Sequence, residues 1–224
     1  VGTAISTYLG TLYYVFLVVR HSRRRDLGLS RPSGAVLSAV LKLSVPNGFQ
    51  MLFFATGLTA LFWIIGQVGT AEVAAGNVLI NVMLVAILPA IGFGLAAASL
   101  VGQALGRGEV DDALNWGWDV VRVAVVALSV LGLPMLLFPE WILSVFIQNS
   151  ATLELATKPL QLVGLFIAID GIGLVLQNAL LGAGASRHVM VVSTSLQWGL
   201  FLPVAYLVGP VLGHGLLAIW IAQM

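Results

Sequence analysis

The chain has no cysteine and very little charge. Without cysteine there is no disulfide, no thiolate nucleophile and no cysteine-bound metal. Lys, Arg, Asp and Glu together make up 8% of 224 residues, against about a quarter in soluble domains. So small a charged fraction cannot cover a water-facing surface. The histidines, His21, His188 and His214, are scattered without zinc-ligand spacing. There is no P-loop, so no ATP-driven pump is encoded here. No serine sits in a recognisable nucleophile motif with a base at the same depth, which argues against an enzyme. The net charge of +1 creates no global attraction to nucleic acid. Apolar residues dominate: 59% of the chain is hydrophobic and the mean hydropathy is +1.04. That composition excludes disorder and leaves the membrane class.

Charge-free runs mark the spans, because a charge at bilayer depth costs about 2.5–3.5 kcal/mol or more. They cover residues 1–19, 43–68, 73–105, 123–138, 159–181 (interrupted by a single acid, Asp170) and 189–208, and a seventh begins near 212. The fourth is expected to start a turn earlier than its charge-free run. Each complete run is near or above the roughly 20 residues a helix needs to cross. The alternating strands of a barrel are missing. The expected fold is an all-α, polytopic integral membrane protein, with about six full transmembrane helices and one truncated. An apolar opening at Val1 and an apolar close at Met224 predict a piece of a longer chain.

If the loops alternate sides, one set carries Arg20, Arg23, Arg24, Arg25, Arg31, Lys42, Arg107, Arg122 and Arg187, and the other only Lys158. That asymmetry predicts cytoplasmic Arg-rich loops. The most polar stretch, 21–34, contains Pro32, Ser33 and Gly34 and reads as a linker before a six-helix unit. The stretch 139–158, with Trp141 and Phe146 among polar residues, suits a short helix at the outer interface.

Asp170 is the one acid deep within a span. An ionisable group at that depth must find a partner or be neutralised, which makes it a functional candidate. A carboxyl group in low dielectric can exchange a proton for a metal ion or a cationic substrate. The alternative is a structural Asp held by neighbouring amides. Gln177 and Asn178 follow seven and eight residues later on a broad shared face. Asn47, Gln50, Asn77, Asn81 and Gln197 also fall within spans. Together with Asp170 they could line a polar cavity, although each alone could simply bond across a helix interface. Pro46 and Pro89 lie inside spans and are hinge candidates, because proline removes a ladder hydrogen bond. Gly102-x-x-x-Gly106 allows close helix approach.

Several segments together resemble the multidrug and toxic compound extrusion (MATE) transporters. They are KLSVPNGFQMLFFATG, then VAAGNVLINVMLVAILPAIGFGLAAASLVGQALGRG, then LFPEWILSVF, then IDGIGLVLQNALLGAGASR. The last is similar to the family's Leu-Gln-Gly-x-x-Arg-Gly-x-Gly ending, with Asn178 in place of the first Gly and Leu181 in place of the Arg. The resemblance implies one half of a two-lobe transporter. Residues 1–20 would be the last helix of the first lobe, 21–34 the cytoplasmic linker and 35–224 the second lobe, its last helix incomplete. It implies multidrug efflux from the cell across the inner membrane, coupled to Na⁺ or H⁺ and needing no cofactor. The substrates would be small cationic or amphipathic compounds, and the partners the bilayer and the missing first lobe, not nucleic acid. Asp170 matches a position that helps bind the coupling cation in some members, and so becomes a candidate Na⁺ ligand. Phe54 stands where those members carry a Glu. A lipid-linked saccharide flippase of the same superfamily and a non-transporting scaffold are the alternative readings.

The charge asymmetry makes a direct prediction. Cysteines introduced at Ser22 and Ser150 should be labelled from opposite faces of the membrane. An impermeant thiol reagent added outside intact cells should modify the second and not the first.

Overall fold

The computed structural model describes residues 2–24 and 33–223, and the side chains of 6–20 and 33–223. Most of the expected linker, and its Arg25 and Arg31, therefore lies outside the described residues. Among the described residues all regular structure is helical. The chain forms two compact units, Val1–Lys42 and Leu43–Met224.

The first unit holds α1, Gly2–Arg24, and the opening turns of α2, Gly34–Val68. α1 exposes Tyr8, Tyr13, Tyr14 and Phe16. At the start of α2, the Ser33 hydroxyl accepts a hydrogen bond from the Val36 amide at 3.3 Å, which satisfies one orphan donor of the first turn.

The second unit contains the rest of α2, then α3 (Thr70–Gly106), α4 (Val110–Leu137), α5 (Pro139–Ser144), α6 (Ser150–Gly182), α7 (Ser186–Val211) and α8 (Gly215–Gln223). Among the described residues five helices, α2, α3, α4, α6 and α7, are long and apolar enough to cross a membrane, against the six full spans expected; α1, the first expected span, is not among them. α3 has 37 residues and is therefore about 55 Å long, well beyond the roughly 30 Å hydrocarbon core. Gly108 and Gly184, with φ of 79° and 81°, turn the chain after α3 and α6 in a conformation that side chains resist.

Helix ends differ from the charge-free runs. α4 begins at Val110, well before residue 123, with Asp111 and Asp112 in its first turn, where acids favour the positive end of the helix dipole. α6 begins at Ser150, not Pro159. The Asn149 side chain caps it, accepting from the amides of Ala151 at 2.9 Å and Thr152 at 3.4 Å. Pro159 is a fully buried residue inside the helix. Charge-free runs report what hydrocarbon tolerates, whereas caps decide where a helix starts. α5 is the short helix expected after residue 138, with Pro139 in its first turn and Trp141 exposed.

α6 runs between α3 and α4, and these three helices make the closest packing in the chain. The approach depends on glycine. A Cβ on Gly164 would lie 2.7 Å from the Gly132 carbonyl oxygen and 2.8 Å from the Leu136 amide nitrogen, both in α4. A Cβ on Gly182 would lie 2.6 Å from Ala98 Cα in α3. Gly102 faces the Gly182 carbonyl, whereas Gly106 faces open space, so only one glycine of that motif is used in packing. Beside this trio, Leu61, Ile64 and Ile65 of α2 join Ala75 and Leu79 of α3, and Leu216, Ile219 and Trp220 of α8, in one apolar cluster.

Gly164→Ala should lower stability by about 1–3 kcal/mol through backbone overlap. Gly173→Ala, on the same helix but facing open space, should be neutral or stabilising by about 0.5–1 kcal/mol, because a helical glycine is replaced. Thermal unfolding of the two variants in detergent measures the contrast.

Candidate functional site

Asp170 takes its orientation from the packing of α6. Its neighbour Gly171 is buried, and a side chain there would strike Leu128 of α4. One residue back, about 100° around the helix, Asp170 is exposed on the face not covered by this chain, beside exposed Ile169. Its carboxylate makes no hydrogen bond or ion pair with any described residue. Gln177, seven residues on, is half-buried. Asn178 turns instead toward α3: its amide donates to the Leu174 carbonyl at 2.9 Å, and Gly94 makes room for it. Among the described residues no three His, Asp or Glu side chains come together as a metal site. Any cation at Asp170 would thus have one carboxylate from this chain and other oxygens from elsewhere.

The remaining candidates lie apart from Asp170 and take different roles. Asn47 and Gln50 follow Pro46 on α2 and are half-buried. Their side-chain oxygens are shielded from solvent and have no hydrogen-bond partner among the described residues. Asn81, on the exposed face of α3, donates to the Asn77 backbone and side-chain oxygens at 2.9 Å each. α2 and α3 run as continuous helices through Pro46 and Pro89.

Gln197 is engaged across a helix interface. α7 widens to π geometry over Leu196–Phe201 and again over Leu207–Val211. π segments inside helices often mark functional sites. From the first of these segments, the Gln197 amide donates to the Phe54 carbonyl of α2 at 3.4 Å, and the Trp198 indole N–H donates to the Phe53 carbonyl at 3.2 Å. Trp198 also meets the Phe53 ring edge-on at 6.4 Å. Gly57 leaves the space that the Gln197 side chain occupies. Sequence reasoning missed Trp198; the available signal was a tryptophan in mid-span beside a polar residue, away from either interface.

The charges gather toward the two ends, with acids at both. Gly182 near the end of α6 packs on Ala98 and Gly102 near the end of α3. These two helices therefore run parallel and finish together. Arg107 and Arg187, which follow them, lie at one end of the unit, while Glu72, Glu154 and Lys158 lie at the other.

The described residues form a helical bundle with five helices long and apolar enough to cross a membrane and one acid at mid-span that no described residue pairs, which defines a polytopic membrane-protein fold. The MatE family model matches residues 46–207, and the chain belongs to this family. It is 28% identical to a probable multidrug resistance protein NorM of Brucella suis biovar 1 (strain 1330), with 98% of this chain and 49% of that protein aligned. A probable NorM of Thermotoga maritima is 27% identical, covering 100% and 49% respectively. The chain thus spans about half the length of these curated relatives. Solved structures share the fold. A MATE crystal structure in complex with MaD3S matches with TM-score 0.84 at 17% identity, over 95% of this chain and 48% of that one. Outward-facing and inward-facing structures of a multidrug resistance MATE family transporter match with TM-scores of 0.76 and 0.73, at 19% and 17% identity. The former match covers 83% of this chain and 41% of that chain, the latter 86% and 44%.

The brace between α7 and α2 can be tested by coupling. Gly57→Ala should destabilise the protein by displacing Gln197. On a Gln197→Ala background the same change should be tolerated, because the obstructing amide is gone. Gln197→Ala alone should cost about 0.6 kcal/mol, the average for an interhelical hydrogen bond in membranes. Unfolding temperatures of the two single variants and the double variant measure the coupling.

Proposed function

We propose that this chain is the second lobe of a multidrug efflux antiporter, which exchanges Na⁺ or H⁺ entering the cell for small cationic or amphipathic compounds leaving it. On this reading residues 1–20 end the first lobe, 21–34 link the lobes in the cytoplasm and 35–224 form the second lobe. The Arg-rich end faces the cytoplasm across the inner membrane. The observation that carries the reading is Asp170, an acid within a spanning helix with no partner among the described residues. Retaining such a group is costly unless something outside the chain compensates it. A coupling cation or a proton would do so, with further oxygens supplied across the cleft by the first lobe.

The transport cycle follows from this arrangement. The α3–α4–α6 trio, held by glycine contacts, moves as one body when the lobes rock about a central cleft. The similarity of this half to both outward-facing and inward-facing structures supports that picture. Asn81 and Gln177, with the amide N–H groups of Asn47 and Gln50, offer polar groups to the cleft, and Gln197 holds α7 to α2. Pro46 and Pro89 supply points where α2 and α3 can bend. Asp170 would carry its cation inward and release it on the cytoplasmic side, while the drug leaves by the opposite movement. The relatives of this chain are transporters, and no catalytic group is invoked.

Asp170→Asn preserves shape and removes the charge. In the full-length protein, reconstituted in vesicles under an imposed Na⁺ or H⁺ gradient, it should reduce drug efflux to background while the unfolding temperature stays the same or rises, since an uncompensated charge is removed. Efflux at the wild-type rate would assign the coupling to the other lobe. Should the Asn variant misfold, Asp170→Glu, which keeps the charge and shifts it by one methylene, should retain gradient-driven efflux at reduced rate.

A further inference from the structure

A shallow groove of about 190 Å³ runs between α3 and α4, lined by Phe93, Ala96, Trp116, Asp119, Val120 and Val123. Five of the six are apolar or aromatic, and the surface the groove presents is apolar throughout, so the Asp119 carboxylate stands at its rim. Asp119 Oδ1 accepts from Arg122 Nη1 at 2.7 Å, and both side chains are more than half exposed. These are the last two charges before the charge-free run that begins at Val123, so they stand where the hydrocarbon begins. Trp116 and Trp118, both exposed, precede them on α4 in the manner of an interfacial belt. The groove therefore descends into the hydrocarbon from a paired acid and base at the headgroup level.

The pair leaves bonding capacity unused. One carboxylate oxygen of Asp119 and the remaining guanidinium N–H groups of Arg122 have no partner among the described residues. A ligand that completes both must offer an anionic oxygen and an N–H cation a few ångströms apart, joined to an apolar chain. We propose that this groove binds a phosphatidylethanolamine-type lipid, with one acyl chain against Phe93, Ala96 and Val123, its phosphate on Arg122 and its primary ammonium on Asp119. A choline headgroup carries positive charge but has no N–H to donate. A glycerol headgroup leaves a net negative charge facing Asp119. The neutral Asp–Arg pair matches a zwitterion in both sign and spacing.

The test uses the full-length protein, purified in detergent and equilibrated with an equimolar mixture of phosphatidylethanolamine, phosphatidylcholine and phosphatidylglycerol. Retained lipids are counted by native mass spectrometry. The wild type should retain phosphatidylethanolamine about fivefold over phosphatidylcholine, the discrimination expected of a partly exposed charged contact. Asp119→Asn should bring that ratio to about one, with total retention little changed. Ala96→Phe, which fills the groove and leaves the charges in place, should reduce retention of all three lipids. Equal retention of the ethanolamine and choline lipids by the wild type would overturn the proposal, as would a preference that survives Asp119→Asn. Preferential retention of phosphatidylglycerol would also overturn it, because that would mean Arg122 alone recruits an anion. If Ala96→Phe fails to fold, the exposed Asp119→Asn change still decides the outcome.

Discussion

Close backbone contact between α6 and its two neighbours governs this structure. In a membrane there is no hydrophobic gain from bringing apolar helices together, so association rests on packing and on how near the backbones can come. Gly132 and Gly164 allow that approach on the α4 side, and Gly102 and Gly182 on the α3 side. With α6 held on two sides, its rotation is set. Gly171 must face Leu128, and Asp170 must therefore face outward. The chemistry available to the protein follows from where two pairs of glycines permit contact.

The polar residues within the spans divide by how their hydrogen-bonding capacity is used. Gln197 and Trp198 bond across to the α2 backbone, while Asn178 and Asn81 bond within their own helices. These groups are compensated by the chain itself and add to its cohesion. Asp170 and the side-chain oxygens of Asn47 and Gln50 are not compensated by any described residue. A polar group left without a partner away from water is expensive. Of these, Asp170 is exposed on a helix face where another wall could meet it, and it supports the reading of a half-transporter, whereas the oxygens of Asn47 and Gln50, like the unpartnered Trp220 indole N–H, are buried within this chain.

Much of the fold was legible in the sequence. The five helices long enough to cross, the short helix at 139–144 and the membership of the MatE family were all accessible from hydropathy and motif order. Helix ends were less so. The charge-free run at 123–138 understated α4, because the helix continues through Asp119, Asp112 and Asp111 beyond the hydrocarbon. The run beginning at Pro159 understated α6 for a similar reason, since Asn149 caps the helix well before the apolar stretch begins. The candidate site was visible as a list of polar positions without the relations between them. Nothing in the spacing of Gln197 indicated that it reaches a carbonyl 143 residues away.

The sequence by itself determined the solvent, the helical class, the segregation of basic residues and the presence of one deep acid at Asp170. Each of these is a property of composition along a line, set by the cost of placing charge or unsatisfied backbone in hydrocarbon. Only the tertiary structure decided which way each helix is rotated. It decided that Gly102 and not Gly106 meets a neighbour, and that α7 opens into π turns where it meets α2. It decided that Asp119, paired with Arg122, borders a groove, and that Asp170 looks away from its own bundle. Rotation about a helix axis changes no hydropathy and breaks no backbone hydrogen bond. It is therefore written into no single segment and is fixed only by the shapes of the neighbours that segment meets.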